Sequence, residues 1–117
     1  MPTIRVGTEG VERIDTAPAE DRRIDGAPAQ RIWNTYTDPS GKFSSGLWES
    51  EPGAWRVAYT EEECCHVYFG RMRIEGDDGS VAEYGAGDSF VVPAGFTGIW
   101  RVLETARKLY AIYERDA

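Results

Sequence analysis

One histidine and two cysteines are all that 117 residues provide of the usual soft metal ligands. Positive charge is scarce as well, with 13 Lys and Arg against 20 Asp and Glu, a formal net charge of −7. That balance excludes nucleic acid, whose phosphates select basic grooves, and it disfavours an anionic membrane surface. The opening MPTIRVGTEGVERIDTAP holds no apolar run of signal-peptide length, and no segment approaches a membrane span. The two cysteines are adjacent, Cys64 and Cys65, so they cannot build a disulfide framework, and a bond between neighbours is strained. Free thiols are expected, which points to a reducing cytoplasm. No stretch reads convincingly as a helix. What is present, 41% hydrophobic residues including 12% aromatics, is the composition of one folded domain.

The first part of the chain differs from the rest. RIDTAPAE (13–20) is nearly repeated as RIDGAPAQ (23–30), with Pro18 and Pro28 in matching places. The unit is too short for a solenoid repeat. Residues 1–30 are therefore read as an extended arm with room for one short turn of helix, and 31–117 as the body.

From Lys42 onward the chain alternates glycine turns with short runs rich in β-branched and aromatic residues. WRVAY (55–59), CCHVYF (64–69), RMRIE (71–75), SVAEY (80–84), SFVV (89–92), GIWRV (98–102) and KLYAIYE (108–114) read as strands. GDDG (76–79) and GAGD (85–88) supply turns. Neither glycine cluster leads into a helix, so no phosphate loop is formed. Many short strands at close spacing predict an all-β sandwich or barrel.

EEECCHVYFG (61–70) then stands out, because it gathers three acids, both cysteines and the histidine. Three consecutive residues of an extended strand cannot converge on one ion, so Cys64, Cys65 and His66 do not make a zinc site.

The strand and turn series resembles the cupins. GAGDSFVVPAG (85–95) is similar to their second motif, G-x5-P-x-G-x2-H-x3-N, with Gly87, Pro93 and Gly95 in place. In the first motif, G-x5-H-x-H-x3,4-E-x6-G, Gly70 matches the closing glycine and Glu63 the acid. Over roughly residues 30 to 114 the pattern is similar to the small single-domain cupins related to ureidoglycine aminohydrolase and to the ethanolamine-utilisation protein EutQ. The resemblance implies an RmlC-like jelly-roll barrel, a double-stranded β-helix. It also implies a metal held by three histidines and the acid, and here the chain departs from it. The first-motif histidine positions are Val57 and Tyr59, or Arg56 and Ala58 with the longer spacing; the second-motif histidine position is Gly98 and the asparagine position Val102. Glu63 alone remains. No cofactor is expected on that basis; a divalent ion at Glu63 would have to recruit Tyr59 and another carboxylate.

If Glu63 points into the barrel, Cys65 and Val67 share its face, while Cys64, His66 and Tyr68 lie outside. The cavity is then expected to hold Tyr59, Glu63, Cys65, Trp48 and Trp100, with Lys108 as a candidate counter-ion whose face the sequence leaves open. Cys65 has no base on its face and reads as a small buried hydrophobe.

Two functions follow from this set. One is a non-catalytic cupin that binds a small polar or amine-containing metabolite between aromatic walls and the acid. The other is an enzyme of small nitrogen compounds, with Glu63, its pKa raised by the aromatic cavity, as general acid/base and Tyr59 positioning substrate. A homodimer, formed through sheet faces and the arm with its prolines Pro18 and Pro28, is the expected assembly, with a small molecule as the other partner and no nucleic acid or membrane.

Overall fold

The computed structural model describes residues 1–116. Nine strands form one continuous antiparallel sheet that curls into a barrel: β1 (Ile14–Thr16), β2 (Arg23–Asp25), β3 (Gln30–Thr37), β4 (Phe43–Ser50), β5 (Gly53–Ala58), β6 (Glu62–Gly76), β7 (Val81–Gly85), β8 (Ser89–Val92) and β9 (Thr97–Tyr113). The order β1-β3-β4-β9-β5-β2 carries one wall, and β6 joins it through β9 while pairing β7 and β8 on its other edge. No helix among the described residues is long and apolar enough to cross a membrane.

Two pairs of strands expected to be separate are in fact single strands. Residues 64–69 and 71–75 belong to β6, and 98–102 and 108–114 are nearly all contained in β9. The break in periodicity that suggests two strands is a bulge. Gly70 sits at φ +86°, and the register against β9 shifts there. The buried positions of β6 change accordingly from Glu63, Cys65 and Val67 to Met72 and Ile74, from odd to even numbers. A side chain at Gly70 would run into the backbone of Thr105 and Ala106, so only glycine lets β6 bend over β9 here.

The arm folds back on the body. Ile14, Asp15 and Thr16 pair with Ile32, Arg31 and Gln30 of β3, while Arg23 and Asp25 pair with Trp55 and Ala54 of β5. Between them a single 3-10 turn spans Glu20–Arg22. The near-repeat thus supplies one edge strand from each copy, at opposite ends of the strand order.

Alternation fills the interior. Cys65, Val67, Met72, Ile74, Phe90, Val92, Trp100, Val102 and Ala106 form one core around the crossing of β6 and β9. Trp100, 1% exposed, ends that core: it contacts Phe90 on one side and Trp48 and Tyr59 on the other. Beyond Trp100 the barrel is open.

Candidate functional site

The open end is a cavity of about 680 Å³. Its floor is made by Tyr59, Glu63, Lys108 and Tyr110; its walls combine apolar side chains, among them Ile32, Trp48, Val57 and Ile112, with the charged Arg22, Lys42, Arg56, Glu61 and Glu114. Tyr59 follows the end of β5 and is pinned by its backbone, N–H to Phe96 O at 2.8 Å and C=O from Gly95 N–H at 2.7 Å. Its ring lies parallel to that of Trp100, with centroids 6.4 Å apart. Glu63 enters from the second residue of β6, and Lys108 and Tyr110 from β9 as two inward positions of one strand.

Glu63 is not a lone carboxylate. Tyr59 donates its hydroxyl proton to Oε1 at 2.6 Å, and Lys108 Nζ donates to Oε2 at 2.8 Å. Lys108 stands opposite Val67 on β6, two inward positions beyond Glu63, so its stem must run along the barrel floor to reach the acid. The ammonium then lies 4.7 Å from the Trp48 ring centre and 4.2 Å from that of Trp100. Both side chains of the ion pair are sealed, at 5% and 4% exposure, which makes the pairing obligatory: either charge alone in this setting would be strongly unfavourable.

The titration of the group follows from that pairing. Burial alone would push the Glu63 carboxyl up, but the Lys108 charge, with hydrogen bonds from Lys108, Tyr59 and Cys65, outweighs it and holds the group below its ordinary value. Burial likewise works against the Lys108 ammonium, and the Glu63 carboxylate overcomes it and raises the pKa. Burial and the adjacent carboxylate drive Tyr59 far upward, and Tyr110 is pushed up to about 12, first by burial and then by Glu63. The expectation of a raised Glu63 pKa is therefore corrected. An aromatic cavity raises a carboxyl only when no cation accompanies it. Glu63 is ionised at neutral pH and has no proton to give.

Four of the six expected cavity residues, Trp48, Tyr59, Glu63 and Lys108, meet at the cavity, and two do not. Cys65 is fully buried behind the floor, its thiol pushed up to about 12 by burial and by Glu63 against the opposing effect of Lys108. Trp100 belongs to the core and backs the floor without lining it. Cys64 is exposed on the outer face, and His66 lies there too, with Nδ1 2.8 Å from Ser89 Oγ. Tyr110 and Asn34, hydrogen-bonded at 2.7 Å, were not expected at the site. The signal for Tyr110 was its spacing of two from Lys108 in KLYAIYE, usable only once the face of Lys108 is known.

The metal that cupins commonly hold does not fit these residues. Val57 offers no donor atom, and a side chain at Gly98 would collide with the Glu75 carbonyl as β6 passes close by. Each oxygen of Glu63 already accepts a hydrogen bond, and the Lys108 ammonium occupies the cation's place beside it. No group of three His, Cys, Asp or Glu that could hold an ion exists among the described residues.

A curled antiparallel jelly roll, closed at one end by an apolar core and open at the other over a polar floor, defines a cupin. The chain belongs to the EutQ-like cupin domain family, whose model matches residues 37–110. Solved structures agree on the fold. A protein of unknown function of the DUF861 family from Pseudomonas syringae pv. tomato superposes with a TM-score of 0.82 at 22% identity, covering 92% of this chain and 46% of that one. This chain thus spans about half the length of that relative. EutQ from Clostridium difficile gives 0.68 at 20% identity over 84% of this chain and 74% of its own. A DUF861 protein from Thermotoga maritima is 31% identical over 55% of this chain and 73% of its own, with a TM-score of 0.53. No curated protein matches the sequence.

Proposed function

We propose that this cupin binds a small polar or amine-containing metabolite in the open end of its barrel, without a metal. The observation that carries this reading is the Tyr59–Glu63–Lys108 triad at the bottom of the cavity, its ion pair held nearly out of solvent beside the apolar walls of Ile32, Trp48, Val57 and Ile112. A buried ion pair stabilises a fold less than a well-packed apolar pair of the same volume would. Its position at the floor of a concave, aromatic-walled site is that of an orienting polar group in a ligand pocket. The low pKa of Glu63 supports binding over proton donation, so an acid-catalysed step at this residue is not part of the reading. The adjacent free thiols Cys64 and Cys65 support a reducing, cytoplasmic setting.

The test is a thermal-shift screen of the full chain against small amines, amino acids, amides and ureido compounds, with elemental analysis of protein purified without chelators. A stabilising ligand whose effect is lost in Trp48→Ala is the expected result. Absence of any stabilising compound in the panel, or near-stoichiometric manganese, zinc or iron, would overturn the proposal.

A further inference from the structure

If the cavity holds a small metabolite, the hydrogen-bond polarity of its floor decides which group of that metabolite goes in first. Both hydroxyl hydrogens at the floor are already committed. The ionised Glu63 accepts only, so the Tyr59 proton must point at it, leaving the Tyr59 oxygen with lone pairs alone. Tyr110 gives its proton to Asn34 Oδ1 at 2.7 Å, and Asn34 Nδ2 is turned away to Thr37 Oγ1 at 2.9 Å. Lys108 has three N–H groups; one goes to Glu63, and its ammonium rests on the faces of Trp48 and Trp100. Trp100 Nε1 has no partner, but it is buried and its residue does not line the cavity. What the floor leaves for a ligand is chiefly acceptors, the two tyrosine oxygens.

We infer that the floor selects an uncharged –NH2 group of the carboxamide type, in preference to a carboxylate or an ammonium. This rests on the small-metabolite reading and sharpens it. At the floor a ligand carboxylate would bring acceptors against acceptors and a second negative charge beside Glu63. The rest of the lining offers no net positive charge to offset it: Arg22 and Lys42 are matched in number by Glu61 and Glu114, and Arg56 is paired with Asp77. An ammonium would find acceptors, but the Glu63 charge is already balanced, and the incoming cation would lie close to the Lys108 ammonium after losing its own hydration. A neutral –NH2 supplies two hydrogens to the waiting oxygens and carries no charge to desolvate. The hydrocarbon or ring portion then lies against Ile32, Trp48, Val57 and Ile112.

Benzamide, benzoate and benzylamine form a matched probe set with one ring and three head groups. In NMR titrations of the full chain at neutral pH, benzamide binds at least about tenfold more tightly than either of the others, the discrimination expected when buried acceptors are met or left unmet. Lys108→Met removes the balancing cation and moves the preference to benzylammonium. Tyr59→Phe, which keeps the ring stacked on Trp100, weakens benzamide severalfold and leaves benzoate unchanged, and this second variant serves where Lys108→Met fails to fold. Equal or tighter binding of benzoate or benzylammonium to the native chain overturns the inference. So does failure of all three probes while another compound of the wider panel binds, an outcome that leaves the small-metabolite reading standing. Failure of the whole panel removes both.

Discussion

Glu63 and Lys108 are complementary charges that only each other's presence makes tolerable, so the effect of changing one depends on the other. Glu63→Gln leaves the Lys108 ammonium buried without its counter-charge and is expected to cost on the order of 3–5 kcal/mol in urea unfolding. Glu63→Gln combined with Lys108→Met removes both charges and should recover most of that loss, a coupling that a double-mutant cycle measures directly. The pH dependence has a definite sign. Glu63 is lowered from its ordinary value of 4.5, so its contribution is present above that value and is lost as pH falls through the lower folded pKa. Lys108 is raised from 10.5, so its contribution is complete below that value and is lost as pH rises through the folded pKa. The native chain should therefore show a melting-temperature plateau between these limits, and the double variant a weaker dependence at both ends. The cysteines separate at this scale too. Ellman's reagent should titrate the exposed Cys64 in the native protein, with Cys65 reacting only on unfolding.

At the scale of elements, β6 and β9 hold the molecule together, and each depends on a glycine at one close approach. Gly70→Ala places a Cβ into the Thr105 and Ala106 backbone and forces an unfavourable φ, so a loss of roughly 1–3 kcal/mol or more is expected by chemical denaturation. Gly98→His, which would restore a cupin motif residue, should likewise destabilise the fold and confer no metal binding, because the Glu75 carbonyl fills that space. The bulge also explains why two strands were read where one exists. Inward positions change parity across Gly70, so a strict period of two breaks although the strand does not. In β9 the inward positions stay even-numbered from Gly98 to Tyr110, and the exposed Glu104 interrupts the apolar run without changing its parity.

For the whole molecule, the arm is part of the sheet. β1 covers the edge of β3, and β2 covers the edge of β5. A chain starting near Arg31 would expose both edges, and unpaired edges template association. It should melt lower and sediment as larger species. An unchanged melting temperature and sedimentation coefficient would show that these short strands contribute nothing. Arg22, which lines the cavity from the turn between β1 and β2, would be lost in the same truncation. The lining of the cavity and the protection of the sheet edges are thereby linked in one segment.

The strand content, the turns at GDDG and GAGD, the cupin motif remnants and the inward face of Glu63, Cys65 and Val67 were legible in the sequence, because each rests on local periodicity and turn chemistry. The same local rules placed Cys64 and His66 outside. They were silent on Lys108. Its strand could be recognised, but which face points inward depends on how β9 registers against β4 and β6, and the reach to Glu63 depends on a stem lying along the floor. From that one long-range contact follow the lowered Glu63 pKa, the misfit to a metal and the acceptor-rich floor. Periodicity determined which residues are inside; only the packing of strands distant in sequence decided which of them meet, and therefore what charge the cavity presents.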